Sequence, residues 1–294
     1  MSDAPLEVYR SALRAECDER AFMLGAVGVA CTIGFDAGQY RLQVEAADAS
    51  RALHHLQLYD AESRMAPQSE PAPPADYPHA ARGCVAYLLV LLAIGYAVSN
   101  GLWRLDAFEL GELDAGRVQH GQWWRAWTAL TLHLDSAHLA ANLGAGAWFG
   151  YLAGRQLGSG GAWLLIVTGA AVANLFEALW GPQSHRSVGA STAVFTALGL
   201  LAAHSWRTRW HLPQRWASRW SPLVAGAVLL GWFGSAGEGT DIVAHALGFL
   251  TGAFLGVLVA MPAIARALRR VPQWLAGSAA LGSIGLAWAC ALRS

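Results

Sequence analysis

Ser187-Val188-Gly189-Ala190-Ser191-Thr192-Ala193-Val194-Phe195 opens an apolar run that closes at His204. From Ser191 to His204 there are 14 residues, and at about 1.5 Å per residue they reach only about two thirds of the way across a bilayer core of about 30 Å. A helix that short is predicted to start inside the membrane. Irregular backbone at that depth survives only where it is buried in protein or lines water. The stretch therefore predicts a bundle of membrane helices around a water-holding cavity. Ser191 would sit at a helix N-terminus whose free N–H groups and positive dipole end can stabilise an oxyanion. The competing reading is a helix cap followed by a small-residue packing surface, which is common in membrane bundles.

The rest of the chain fits that setting. Of its 294 residues 55% are hydrophobic and 14% charged, with 32 glycines and 14 tryptophans, too apolar for an ordinary soluble domain. Apolar stretches recur at 83–103, 126–152, 161–180, 191–204, 222–236, 241–261 and 272–291, which predicts an all-α polytopic membrane protein with seven membrane helices. Formal net charge is zero and every basic residue is an arginine, with no basic block to track a phosphate backbone, so nucleic acid is excluded as a partner. Cys17, Cys31, Cys84 and Cys290 lie too far apart for a redox motif or a zinc site and read as packing residues. No short apolar core with a small-residue cleavage site stands at the N-terminus, so the first hydrophobic segment is expected to do the targeting.

Residues 1–64 differ in composition. The run Gly25–Ile33 and the alternation Tyr40-Arg-Leu-Gln-Val44 predict two strands, and Ala52, Leu53, Leu56 and Tyr59 predict a helix within 46–63. This is a small α/β module outside the membrane. Residues 65–82 hold the proline-rich run Pro67–Pro78, an extended spacer and a domain boundary. Arginines fall in alternate connections, at Arg155, then Arg207, Arg209, Arg215 and Arg219, then Arg266, Arg269 and Arg270. These connections and the N-terminal module are expected on the cytoplasmic side, and the loops 104–124, 181–190 and 236–240 outside. Trp123, Trp124, Trp127, Trp180, Trp206, Trp210 and Trp220 gather at predicted helix ends, as interfacial anchors do.

Polar side chains inside apolar segments are costly and mark function by default. Five stand out, all toward the outer side: His133, His138, Asn142, Ser191 and His245. His245 shares one helix face with Gly248, Gly252 and Gly256, so the face that packs closest to a neighbour also carries the imidazole. His138 and Asn142, four residues apart, can aim donors into one cavity and so stabilise an oxyanion, or they form an interhelical polar clamp. A zinc site from His133, His138 and His245 lacks a carboxylate or thiolate and the two-histidine spacing, so no metal and no cofactor is expected.

At this point the residues resemble the rhomboid family of intramembrane serine proteases, over about 83–261. Trp124-Arg125 looks like its first-loop pair, and His133-Leu-Asp-Ser-Ala-His138-Leu-Ala-Ala-Asn142 like its histidine and asparagine motif. Leu157-Gly-Ser-Gly160 is similar to the following inner turn. Gly189-Ala-Ser191 resembles the nucleophile motif, and Ala244-His245-Ala-Leu-Gly248 with Gly252 resembles the motif of the catalytic histidine. The resemblance implies a six-helix catalytic core over 83–261 plus one extra helix in 262–294. It implies Ser191 as nucleophile, His245 as general base and acid, and His138, Asn142 and the Ser191 N–H as the oxyanion hole. Phe195 would lie near the imidazole, with Gly189 and Gly248 supporting, and Arg125 would order the first loop. Two positions depart from the family pattern: Thr192 stands where a glycine usually follows the nucleophile, and Gly154 where many members carry an acidic residue. Substrates would be transmembrane proteins, the setting a bacterial inner membrane and its lipid, and the cavity open to the outside. A non-catalytic scaffold that binds membrane helices and a small-solute transporter are the alternatives, the latter without an internal repeat.

Overall fold

The structure, a computed structural model, describes residues 5–65, 77–102, 106–210, 216–234 and 241–294. Most of the proline-rich spacer and residues 235–240 lie outside the described residues. The chain divides into two compact units, Met1–Pro73 and Pro74–Ser294.

The first unit is a three-stranded antiparallel sheet with two helices. Its elements run β1 (Leu6–Ser11), α1 (Arg14–Ala26), β2 (Cys31–Asp36), β3 (Gln39–Val44) and α2 (Ala49–Met65), with strand order β1-β3-β2. This differs from the expected two strands and one helix. Strand β1 and helix α1 were not expected, and most of Gly25–Ile33 is the end of α1 and a turn, with the strand starting only at Cys31. The physical reason is that α1 is rich in charge and buries only Cys17 and Leu24, too little periodicity to declare a helix. In β3, Leu42 and Val44 point inward and join Leu24, Val29, Ala52 and Leu56 in the core, as the period of two requires.

Strands β2 and β3 are joined by Ala37-Gly38, whose φ values are 50° and 80°. Positive φ at both turn positions suits a type I′ hairpin, whose preferred first residue is asparagine. Ala37 carries a left-handed conformation that costs an L-residue about 1 kcal/mol. Ala37→Asn is expected to stabilise the module by about 0.5–1 kcal/mol. Slower hydrogen exchange at the β2 and β3 amides of the full-length protein would register the gain.

The second unit is helical. It begins with α3 (Ala81–Ser99), then passes through α4 (Ala107–Gly111), β4 (Leu113–Asp114), α5 (Ala115–Gln119) and α6 (Arg125–Thr128). Next come α7 (Ser136–Leu157), α8 (Ser159–Trp180), β5 (Arg186–Ser187), α9 (Ser191–Arg209) and α10 (Trp216–Gly234). The unit closes with α11 (Ile242–Val259), α12 (Pro262–Arg270) and α13 (Gln273–Ala291). Seven of these are long: α3, α7, α8, α9, α10, α11 and α13. Among the described residues, α3, α8, α11 and α13 are long and apolar enough to cross a membrane.

Two boundaries differ from the sequence reading. The apolar run at 126–152 is not one helix: residues 125–131 form short helical turns packed beneath the first loop, and α7 starts only at Ser136. Asp135 explains this, because its side chain accepts the His138 N–H at 2.7 Å and caps α7 there. The fourth helix does start at Ser191 but runs 19 residues, to Arg209. Polar Ser205-Trp-Arg-Thr-Arg209 extends it past the apolar run, and hydropathy does not count those turns.

Helix α9 lies at the centre of the unit, with α11, α8, α7 and α10 around it. Helices α9 and α11 pack backbone against backbone. A Cβ at Gly248 would lie 2.6 Å from the Thr192 carbonyl oxygen and one at Gly256 2.5 Å from that of Leu200, and Gly252 meets Thr196 between them more tightly still. Three glycines one turn apart thus face three carbonyls one turn apart. No side chain fits on α11 at these three positions, which is how small residues bring membrane helices together. Helix α12 turns Ile264 and Leu268 toward the core cluster of α8 and α9 and keeps Arg266, Arg269 and Arg270 on its other side, the pattern of a helix lying at an interface.

Candidate active site

The first loop is built around Arg125, which is 1% exposed. Its guanidinium donates to the carbonyls of Glu112 at 2.9 Å and Glu109 at 2.7 Å, and to the side-chain oxygen of Gln122 at 2.7 Å. Thr128 donates to the Gly111 carbonyl at 2.7 Å beside it. A buried cation whose three nitrogens each donate to the loop is a structural bracket. Pairing of β4 with β5 then ties this loop to the segment leading into α9.

That segment delivers Ser191. Gly189 has φ 137°, a conformation open to glycine, and donates its N–H to the Ala129 carbonyl at 2.9 Å. A Cβ on Gly189 would stand 2.7 Å from His138 Cε1, 2.9 Å from His138 Nε2 and 3.5 Å from Ser191 Oγ. The glycine is therefore the gap through which the imidazole of His138 approaches the serine. The next N–H, that of Ala190, donates to His133 Nε2 at 3.3 Å, so the other ring nitrogen of His133 carries its proton. The rings of His133 and His138 meet edge-on with centroids 5.1 Å apart.

His245 lies one turn into α11 and is 6% exposed. Phe195, one turn after Ser191 on α9, holds its ring centroid 4.4 Å from the imidazole. Gly248, one turn further along α11, sits against Thr192, whose side chain is buried in the same seam. The bulk that replaces the expected glycine at 192 is thus taken up by the missing side chain at 248. Asn142 is 5% exposed, and its amide donates back to the His138 carbonyl at 3.0 Å, which leaves one N–H of that amide for another acceptor. Tyr87 on α3 fixes the same turn by donating to the Asn142 carbonyl at 2.7 Å.

Ser191, His245, His138 and Asn142 all line one cavity of about 1900 Å³. Its walls are mostly apolar, with Trp148, Phe149, Phe176 and Leu247 among them. Small-molecule pockets are commonly about 300–1,000 Å³, so this one is large enough for a stretch of polypeptide. Chemically the arrangement offers a hydroxyl at a helix N-terminus, an imidazole on the adjacent helix and further donors beside the hydroxyl.

The rhomboid domain family matches residues 120–262. These residues carry a rhomboid domain. The chain is similar to the rhomboid protease GluP of Bacillus subtilis (strain 168), 28% identical over 152 residues that make up 52% of this chain and 29% of that protein. It is also similar to the putative rhomboid protease YdcA of the same organism, 27% identical over 182 residues, 59% of this chain and 87% of that protein. The match to the first relative thus spans under a third of that relative's length. A rhomboid domain with apolar helices of this length makes the chain an integral membrane protein.

Some of the rhomboid site was not legible as such. His133 was noticed as polar, but its bond to the Ala190 N–H depends on a loop closing across 57 residues. Asp135 was readable in principle, since an aspartate immediately before a helical run is an N-cap signature.

Proposed function

We propose that this chain is an intramembrane serine endopeptidase that hydrolyses peptide bonds in or next to transmembrane segments of membrane proteins by a Ser191–His245 dyad. The observation that carries the reading is that both residues line the same large apolar cavity from adjacent helices, with Phe195 packed on the imidazole.

Ser191 Oγ attacks the scissile carbonyl carbon while His245 accepts its proton. The negative oxygen of the tetrahedral intermediate is held by the Ser191 N–H, His138 and the free N–H of Asn142. Each such donor is worth about 2.7–4 kcal/mol of barrier. His245 then gives the proton to the departing amine, and water, activated by the same imidazole, releases the acyl group from Ser191. No carboxylate is needed if packing orients the ring, and Phe195 and the glycine seam supply that packing. Arg125 orders the first loop, and Gly189 and Gly248 make the room that the reacting groups need.

In this reading residues 83–261 form the catalytic core, 262–294 add a further membrane helix, and 1–64 regulate or recruit. The arginine pattern puts the N-terminal module in the cytoplasm and the cavity on the outer side of a bacterial inner membrane. Helix α10, which packs mainly on α9, belongs to the segment 222–240 that would serve as the lateral gate; 235–240 of it lie outside the described residues. The alternative is a catalytically inactive scaffold that binds membrane helices.

An active-site-directed fluorophosphonate separates the two. Labelling of the wild type at Ser191, absent from Ser191→Ala, is the expected result. Labelling that persists in Ser191→Ala, or a wild type that never reacts, would remove the dyad and leave the scaffold.

A further inference from the structure

Beyond the dyad, the same cavity holds a second group of side chains that the proteolytic mechanism does not use. Glu177 stands in the last turn of α8, His185 in the connection before β5, and Asp241 at the N-cap of α11. One ligand atom from each, a carboxylate oxygen or an imidazole nitrogen, lies within 4.8 Å of the other two. His185 Nε2 is 3.2 Å from Asp241 Oδ2 and 3.5 Å from Glu177 Oε1.

Three independent features point to an ion. The first is unmet hydrogen-bonding capacity: Glu177 is 5% exposed, yet its Oε2 has no donor, and neither His185 Nε2 nor Asp241 Oδ2 makes a hydrogen bond. Buried polar atoms without partners are rare, and buried charges are paired or coordinate metals. The second is charge: in the deprotonated form in which such groups bind a metal, two carboxylates and an imidazole carry two negative charges, which one divalent cation cancels. The third is distance. Zinc binds imidazole nitrogen and carboxylate oxygen at about 2.0–2.2 Å, so neighbouring ligands of a tetrahedral ion stand about 3.3–3.5 Å apart. The two separations from His185 are already close to that edge.

The donors are also held from outside. Asp241 spends Oδ1 on the Ala244 N–H at 3.0 Å, which fixes the carboxylate and leaves Oδ2 for the site. The His185 backbone is fixed at both ends, donating to the Pro182 carbonyl at 2.9 Å and accepting from the Ala115 N–H at 3.1 Å. His185 and Asp241 keep partial exposure, so an ion can enter from the cavity.

We propose that Glu177, His185 and Asp241 form a three-ligand site for a zinc-type divalent cation, with a fourth position open to water. Bound there, the ion ties the end of α8, the loop before Ser191 and the start of α11 together. Asp241 lies one turn before His245, so the ion steadies the helix that carries the imidazole. This site does not depend on the proteolytic reading, because none of its ligands takes part in that chemistry.

The test uses untagged full-length protein in detergent, stripped with chelator and titrated with Zn²⁺ and with Co²⁺. Expected are one equivalent of Zn²⁺ bound, a visible Co²⁺ spectrum of four-coordinate intensity, and a higher Tm on loading. All three should persist in Ser191→Ala. Glu177→Gln and Asp241→Asn keep shape, and asparagine keeps the helix cap; each is expected to weaken Zn²⁺ binding at least about tenfold, since removing a first ligand cannot cost less than the 10–100-fold typical of an outer-shell partner. A wild type that binds no Zn²⁺ above a detergent blank would overturn the proposal. Equal binding by both variants would do the same.

Discussion

Purified wild-type protein is expected to cleave a generic fluorescent transmembrane substrate, and Ser191→Ala and His245→Ala are each expected to lower the rate at least about 10⁴-fold. The magnitude follows from the proposed roles. Without Ser191 there is no acyl intermediate, and without His245 the hydroxyl keeps its proton and remains a weak nucleophile. The two act as a unit, so the double variant should be no slower than the worse single one. The fold should tolerate both changes unequally. Ser191 is a small side chain at a helix start, whereas His245 packs on Phe195, so His245→Ala should also lower Tm. Full activity in either variant would remove that residue from the mechanism. Additive losses would mean that serine and histidine serve separate steps.

Closing the α9–α11 seam is expected to have the second-largest effect. A Cβ at Gly252 would fall inside contact distance of the Thr196 carbonyl oxygen, 2.8 Å from its carbon and 2.9 Å from its Cα. These are backbone atoms and cannot swing away, so the helices must separate. Gly252→Ala should cost about 1–3 kcal/mol of stability and Gly252→Leu more. Activity should fall further than stability alone requires. His245 lies two turns above on the same helix, and a shift of about 1 Å at a reacting group can cost about 100-fold. Gly282 on α13 supplies the control: a Cβ there meets nothing within 4 Å. Gly282→Ala should be neutral or stabilising by up to about 1 kcal/mol. Tm in detergent, read beside the cleavage rate, checks both. If Gly252→Leu keeps the wild-type Tm and rate, close approach of α9 and α11 is not what positions the imidazole.

Much of the arrangement was legible because membrane burial writes strong signals. Apolar runs of helical length gave the seven long helices, and Ser191 was correctly read as the first residue of its helix, because small residues before it and an apolar run after it mark a start. The glycine face of α11 was legible for the same reason: Gly248, Gly252 and Gly256 repeat at helical spacing whatever their partner. The 126–152 run misled, because residues buried in a loop are as apolar as residues in a helix, and only the Asp135 cap divides them. In the N-terminal module α1 escaped notice because most of it faces away from the small core.

By itself, then, the sequence determined a membrane bundle, the helix that starts at Ser191 and the face of α11 that must lie against a neighbour, since each follows from local periodicity and from the cost of polar groups in lipid. Only the tertiary structure decided which helices meet. The seating of Thr192 against Gly248, the strut from His133 to the Ala190 N–H, and the meeting of Glu177, His185 and Asp241 join residues that no local pattern relates. Such contacts are set when helices pack and loops close over long stretches of chain, and that information resides in the packing of the whole bundle rather than in any window of its sequence.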